Sequence, residues 1–222
     1  MPAAPDLKPA LTFLAALRQH NSKPWFEQHR ADYAAARGAF EALIADLIDV
    51  FREADQLHDL AAKDCIARIY RDVRFSKDKS PYKLNLGAVI AAGGWNAAAL
   101  GYYISLQPGG ESIVAGGLHS PTPAQLDRFR RAIDQAPAAF QQVTRAKAFK
   151  AAFGAVSGER LKTAPRGYDP AHPEIDLLRL KQVIAIRRFS DQQVLARDFA
   201  GQAAATCRAM RPFLDYLQAV LQ

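Results

Sequence analysis

Apolar positions change period several times along the chain, and each change marks a change of element. Leu11, Leu14, Ala15 and Leu17 follow helical spacing, which predicts a short helix beginning near Thr12. Asn21-Ser22-Lys23-Pro24 stops it and opens another, since Ser can cap a helix and Pro fits its first turn. Phe26, Tyr33, Phe40 and Leu47 then recur at heptad spacing, widened by Leu43, Ile44, Ile48 and Phe51. This stripe predicts a long amphipathic helix from about Pro24 to Phe51.

From Cys65 the period falls to two. Ile69, Arg71, Val73 and Phe75 would share one face of a strand, and Arg68, Tyr70, Asp72 and Arg74 the other. A loop, Ser76 to Tyr82, follows. Leu84 to Ala92, Leu100 to Gln107 and Ser112 to Gly116 read as three more strands, with turns at Gly93-Gly94-Trp95-Asn96 and Pro108-Gly109-Gly110. Thr122-Pro123-Ala124-Gln125 is a capping box, as is Ser190 to Gln193. Helices are expected after Thr122, after Pro137, around Ile175 to Leu180 and from Ser190 to Leu221, with a kink or break at Pro212. Arg160 to Lys162 reads as a short strand, and Val183 to Arg188 as another. Gly116-Gly117 reads as tight packing rather than a phosphate loop. The order of elements predicts an α+β fold: an antiparallel meander packed against several helices, with long N-terminal and C-terminal helices. No repeat or linker divides the chain, so a single domain over residues 1–222 is expected, with residues 1–10 as a poorly ordered extension.

Composition changes this picture little. Of 222 residues, 50% are hydrophobic and 23% charged, which excludes disordered and fibrous classes. Two cysteines, Cys65 and Cys207, cannot build a disulfide framework and suit a reducing, cytoplasmic setting. The stretch Leu11 to Leu17 is too short for a membrane span, and Leu84 to Gly110 is too rich in Gly and Asn, so no membrane partner is expected.

Charge changes it more. The formal net charge is +7. From Arg68 to Lys83, the bases Arg68, Arg71, Arg74, Lys77, Lys79 and Lys83 face only Asp72 and Asp78. From Glu159 to Arg188, a second basic excess includes Lys162, Arg166 and Lys181 beside Gly167, Tyr168 and His172. These two segments account for the whole surplus. On an apolar strand face Arg71 would need a carboxylate or several carbonyls. Asp72 lies between Tyr70 and Arg74, so pairing on that face is expected.

Arg forks and Lys point charges suit phosphate or carboxylate. The expected ligand is therefore an anionic small molecule or phosphate group. Its site would be formed by Arg68, Arg71, Arg74, Lys77, Lys79, Tyr82 and Lys83 of the first segment with Lys162, Arg166, Tyr168 and Lys181 of the second. Nucleic acid and an acidic protein partner stay open as alternatives, with the basic segments then serving as an ion-pair network. No cofactor is indicated. The five histidines lack metal-ligand spacing and there is no Cys/His cluster, so no metal is expected. There is no nucleophile elbow. Were the protein an enzyme, His172 or Tyr82 would be the proton-transfer group, with Arg74, Lys79 and Arg166 as charge stabilisers.

Three strings carry a resemblance. Trp25-Phe26 with His29-Arg30 and Tyr33 is the first; the run Arg71 to Lys83 is the second; Leu161-Lys162 with Pro165-Arg166-Gly167-Tyr168 and His172-Pro173 is the third, joined by Leu178 to Lys181. Over roughly Leu11 to Leu217 the chain resembles the Domain of Unknown Function 2461 family. That resemblance implies one domain of about this size, occurring in bacteria and fungi, and brings no activity with it.

Overall fold

The structure, a computed structural model, describes residues 5–96 and 100–222. Part of the expected N-terminal extension, Met1 to Ala4, lies outside the described residues. The fold is α+β. Helices α1 (Lys8–Gln19), α2 (Lys23–Gln28), α3 (Arg30–Phe51) and α4 (Ala62–Cys65) precede strands β1 (Leu86–Ile90), β2 (Tyr102–Leu106) and β3 (Ser112–Leu118). Then come α5 (Pro123–Gln135), α6 (Pro137–Arg145), α7 (Lys147–Phe153), α8 (Ile175–Leu178), β4 (Val183–Phe189), α9 (Asp191–Val194) and α10 (Phe199–Leu221). The strands form one antiparallel sheet in the order β1-β2-β3-β4, with Leu86 opposite Leu106 and Ile90 opposite Tyr102. The chain divides into two compact units. One holds Met1–Val114 with Arg188–Ala205, the other Ala115–Arg187 with Thr206–Gln222.

In the first unit, α1 packs along α3 and α3 packs on β1. Leu14, Leu17, Phe40, Leu43 and Ile44 close that core completely. Helix α1 begins at Lys8, ahead of the expected Thr12, because Pro9 suits a first turn and Ala10 is fully buried. The long helix predicted from Pro24 is broken at His29. There the imidazole Nδ1 lies 2.8 Å from the Trp25 carbonyl oxygen, the acceptor an unbroken helix would give to the backbone alone.

The strand expected over Ile69 to Phe75 does not form. Among the described residues the chain there meets its neighbours at the bridges Ile66 to Ala88 and Tyr70 to Tyr82. The Arg71 amide donates to the Pro81 carbonyl at 2.9 Å, and Pro81 has no N–H with which to continue the ladder. Beyond it the chain turns, and Phe75, expected on an apolar face, is 96% exposed.

Pro108-Gly109-Gly110 closes the β2–β3 hairpin as expected, with Gly109 and Gly110 at positive φ. Asp191, far along the chain, grips this turn. Its carboxylate accepts the Gly109 amide at 2.9 and 3.1 Å and the Gly110 amide at 3.0 Å. Charge-assisted bonds of this kind are each worth about 1.5–3 kcal/mol at best, and less where water competes. Asp191→Ala is therefore expected to lower stability by about 1–2 kcal/mol, read from urea unfolding at pH 7. A change within error would mean the turn holds itself.

In the second unit, residues 157–161 run antiparallel to 179–184 through bridges at Ser157–Ile184 and Arg160–Leu180. The capping boxes at Thr122 and Ser190 both form, the first on α5 in this unit and the second on α9 in the other. Phe140 meets Phe129 edge-on at 5.4 Å, and Phe149 lies 5.4 Å from Phe213. Helix α10 runs through Pro212 without ending.

Candidate functional site

The first basic segment lies in the first unit, and its charges sort by geometry. Arg74 grips Asp72 through Nη2 at 2.6 Å and Nε at 3.0 Å, the neighbouring-residue pairing the sequence led one to expect. Arg71 is paired as anticipated, and the carboxylate is Asp78; its guanidinium also donates to the Ser80 carbonyl at 3.2 Å. Asp78 accepts in addition the Ser80 hydroxyl at 2.6 Å and the Ser80 amide at 2.9 Å. These Ser80 bonds, with Arg71 after them, hold its carboxyl down at about 2, so Asp78 is an anion at any ordinary pH. Lys79 donates to the Val73 carbonyl at 3.0 Å.

Both acids of the segment are thus consumed by Arg71 and Arg74. Among the described residues, Arg68, Lys77 and Lys83 meet no carboxylate. Lys83 differs from the other two because it is half-buried. Burial first, and then the charge of Arg68, push its ammonium below the usual lysine range. Its Nζ lies over the Trp95 ring, 5.5 Å from the centroid.

Lys83 opens onto a cavity of about 300 Å³ lined also by Asn21, Arg71, Asp78, Ser80 and Asn85. Asn21 fastens one side of it: its Nδ2 donates to the Tyr82 carbonyl at 2.9 Å, and its Oδ1 accepts the Tyr82 amide at 3.1 Å. Asn85 Nδ2 donates to Ser105 Oγ at 2.8 Å and to the Tyr103 hydroxyl at 3.2 Å. Tyr82 itself is buried, stacked on Phe26 at 4.1 Å. Burial, then Tyr70 and Glu27, raise its pKa, so the hydroxyl keeps its proton. Its ring packs beside the cavity, in the aromatic cluster with Phe26.

The second segment lies in the second unit. Lys181 pairs with Glu159 at 3.0 Å. Lys162 and Arg166 are exposed and meet no carboxylate among the described residues. Tyr168 is half-buried, and burial, followed by Asp134 and Asp127, raises its pKa. Both nitrogens of His172 are engaged. Nδ1 accepts the Glu174 amide at 3.0 Å, and Nε2 faces Asp134 at 3.3 Å. The ring ties the 169–174 loop to α5. Among the described residues, no three His, Cys, Asp or Glu side chains gather as a metal site would require. No described helix is long and apolar enough to cross a membrane.

Asn21 and Asn85 are the site residues that sequence reasoning did not select. Asn21 sits in a turn that reads as a helix stop, and its partner Tyr82 is remote in sequence. The family model described as a conserved hypothetical protein (DUF2461) matches residues 9–216. No curated protein and no solved structure matches the chain.

Proposed function

The chain belongs to the DUF2461 family, and we propose that its first compact unit binds a phosphate- or carboxylate-bearing ligand in the cavity beside Lys83. One observation carries this reading. A half-buried lysine lines a polar cavity, and its ammonium is repelled by Arg68 and has no carboxylate partner among the described residues. A charge withdrawn from water without a counter-charge is costly, and a bound anion removes that cost. Asp78 does not compete for it, because Arg71 and Ser80 already satisfy that carboxylate. The ligand would also find a donor in Arg71.

The test is a thermal shift with inorganic phosphate, pyrophosphate and citrate on the wild type and on Lys83→Met. A ligand at 100 times its dissociation constant stabilises by about 2.7 kcal/mol. That corresponds to about 5–10 °C for a chain of this size. A shift in the wild type that Lys83→Met abolishes is the expected result. Binding should also weaken as pH climbs toward the lowered Lys83 pKa, because the ammonium is what holds the anion. Equal shifts in both proteins would place any anion elsewhere.

A further inference from the structure

We propose that the ligand of this cavity is a phosphate ester carrying an aromatic ring, of mononucleotide size, with its phosphate at Lys83 and its ring against Trp95. The inference rests on the anion-binding reading above and extends it from a charge to a molecule. Trp95 is 38% exposed although it lies directly beneath the Lys83 ammonium. A phosphate on Lys83 is therefore one side chain away from an accessible indole.

The indole is also held in place. Trp95 sits on the short 3-10 turn Gly94–Asn96, and Gly94 fixes where that turn lies. Gly94 adopts φ +67°, and a Cβ there would come within 2.5 Å of the Asp64 carbonyl oxygen. Only glycine allows this approach, so the turn is pressed against the end of α4. The indole also meets Tyr103, tilted, at 6.5 Å between centroids. The Tyr103 hydroxyl accepts from Asn85, whose amide lines the cavity. Ammonium, indole, phenol and amide are thus linked by successive contacts, from a charged group to an aromatic one. The second tryptophan offers no such platform, because His29 covers Trp25 at 4.0 Å, nearly parallel. The cavity's volume of about 300 Å³ stands at the small end of ligand pockets, which favours one ring and one phosphate over a polymer.

The test uses the full chain with Trp25→Phe, which leaves Trp95 as the sole tryptophan reporter. The probes are adenosine monophosphate, ribose 5-phosphate and inorganic phosphate. Adenosine monophosphate is expected to bind about 5- to 150-fold more tightly than ribose 5-phosphate, the value of one base stacked on an aromatic side chain, and to quench Trp95 fluorescence. Trp95→Leu should remove that advantage while ribose 5-phosphate still binds. Should Trp95→Leu fail to fold, the comparison of the two probes on the single-tryptophan protein decides alone. Equal affinities with unchanged Trp95 emission would overturn the aromatic inference and leave the anion site standing. Failure of all three probes would overturn both. A short single-stranded oligonucleotide binding far more tightly, with steep salt dependence, would replace a mononucleotide pocket by a nucleic-acid surface.

Discussion

Gly117→Ala is expected to destabilise the protein by about 3–6 kcal/mol, enough to leave little folded chain for a domain of ordinary stability. Gly117 sits at φ +121°, where an L side chain strains the backbone. That strain alone costs about 1–3 kcal/mol. The larger part is collision. An added Cβ would stand 2.2 Å from the Val183 carbonyl oxygen, 3.0 Å from a Phe213 ring carbon and 3.2 Å from the Ile184 Cα. Two of these atoms are backbone of β4 and cannot swing aside. Val183 and Phe213 are fully buried, so the surroundings have nowhere to go. Gly167→Ala is the matched control, with φ +90° and no atom within 4 Å of the would-be Cβ. It carries the strain without the collision and should cost only about 1–2 kcal/mol. Guanidinium unfolding of both variants separates the two contributions. Equal losses would mean that the β3–β4 contact yields, contrary to the close packing read here.

What was legible in the sequence follows the distance over which each feature is decided. The capping boxes at Thr122 and Ser190 are completed within four residues, and both form. The Asp72–Arg74 fork is likewise local. The need of Arg71 for a carboxylate was legible, but the choice of Asp78 depends on a loop closing between them. Alternation over Ile69 to Phe75 promised a strand that the structure withholds, because strand pattern says nothing about the partner. Here the partner contains Pro81, which ends the pairing. Heptad spacing in the same way ran through His29 without registering that its ring takes a helix carbonyl. The site was half legible. Charge counting located part of the surplus in the Arg68–Lys83 segment, yet only the folded arrangement distinguishes Lys83, which is half-buried without a carboxylate partner among the described residues, from Arg71 and Arg74, which are spent on neighbours. Asn21 was invisible because its whole contribution is to the backbone of a residue 61 positions away.

Phe26→Ala is the second substitution expected to have a large effect, and it joins stability to the site. Phe26 is 1% exposed and stacks on Tyr82 at 4.1 Å with rings 13° from parallel. Tyr33 lies 5.1 Å from it, and Phe13 meets it edge-on at 6.0 Å. Emptying such a position costs about 3–5 kcal/mol in transfer and cavity terms together. The loss does not stop at the core. Tyr82 precedes Lys83 in the chain, and its backbone is the strip that Asn21 clips. Releasing the Tyr82 ring therefore frees the segment that positions Lys83 beside the cavity. Any Phe26→Ala protein still folded at low temperature should bind phosphate more weakly than wild type, whereas Phe26→Leu should recover most of both properties. A variant that is destabilised but binds phosphate with wild-type affinity would show that Lys83 is positioned independently of the aromatic cluster. Its support would then have to come from the Trp95 side alone.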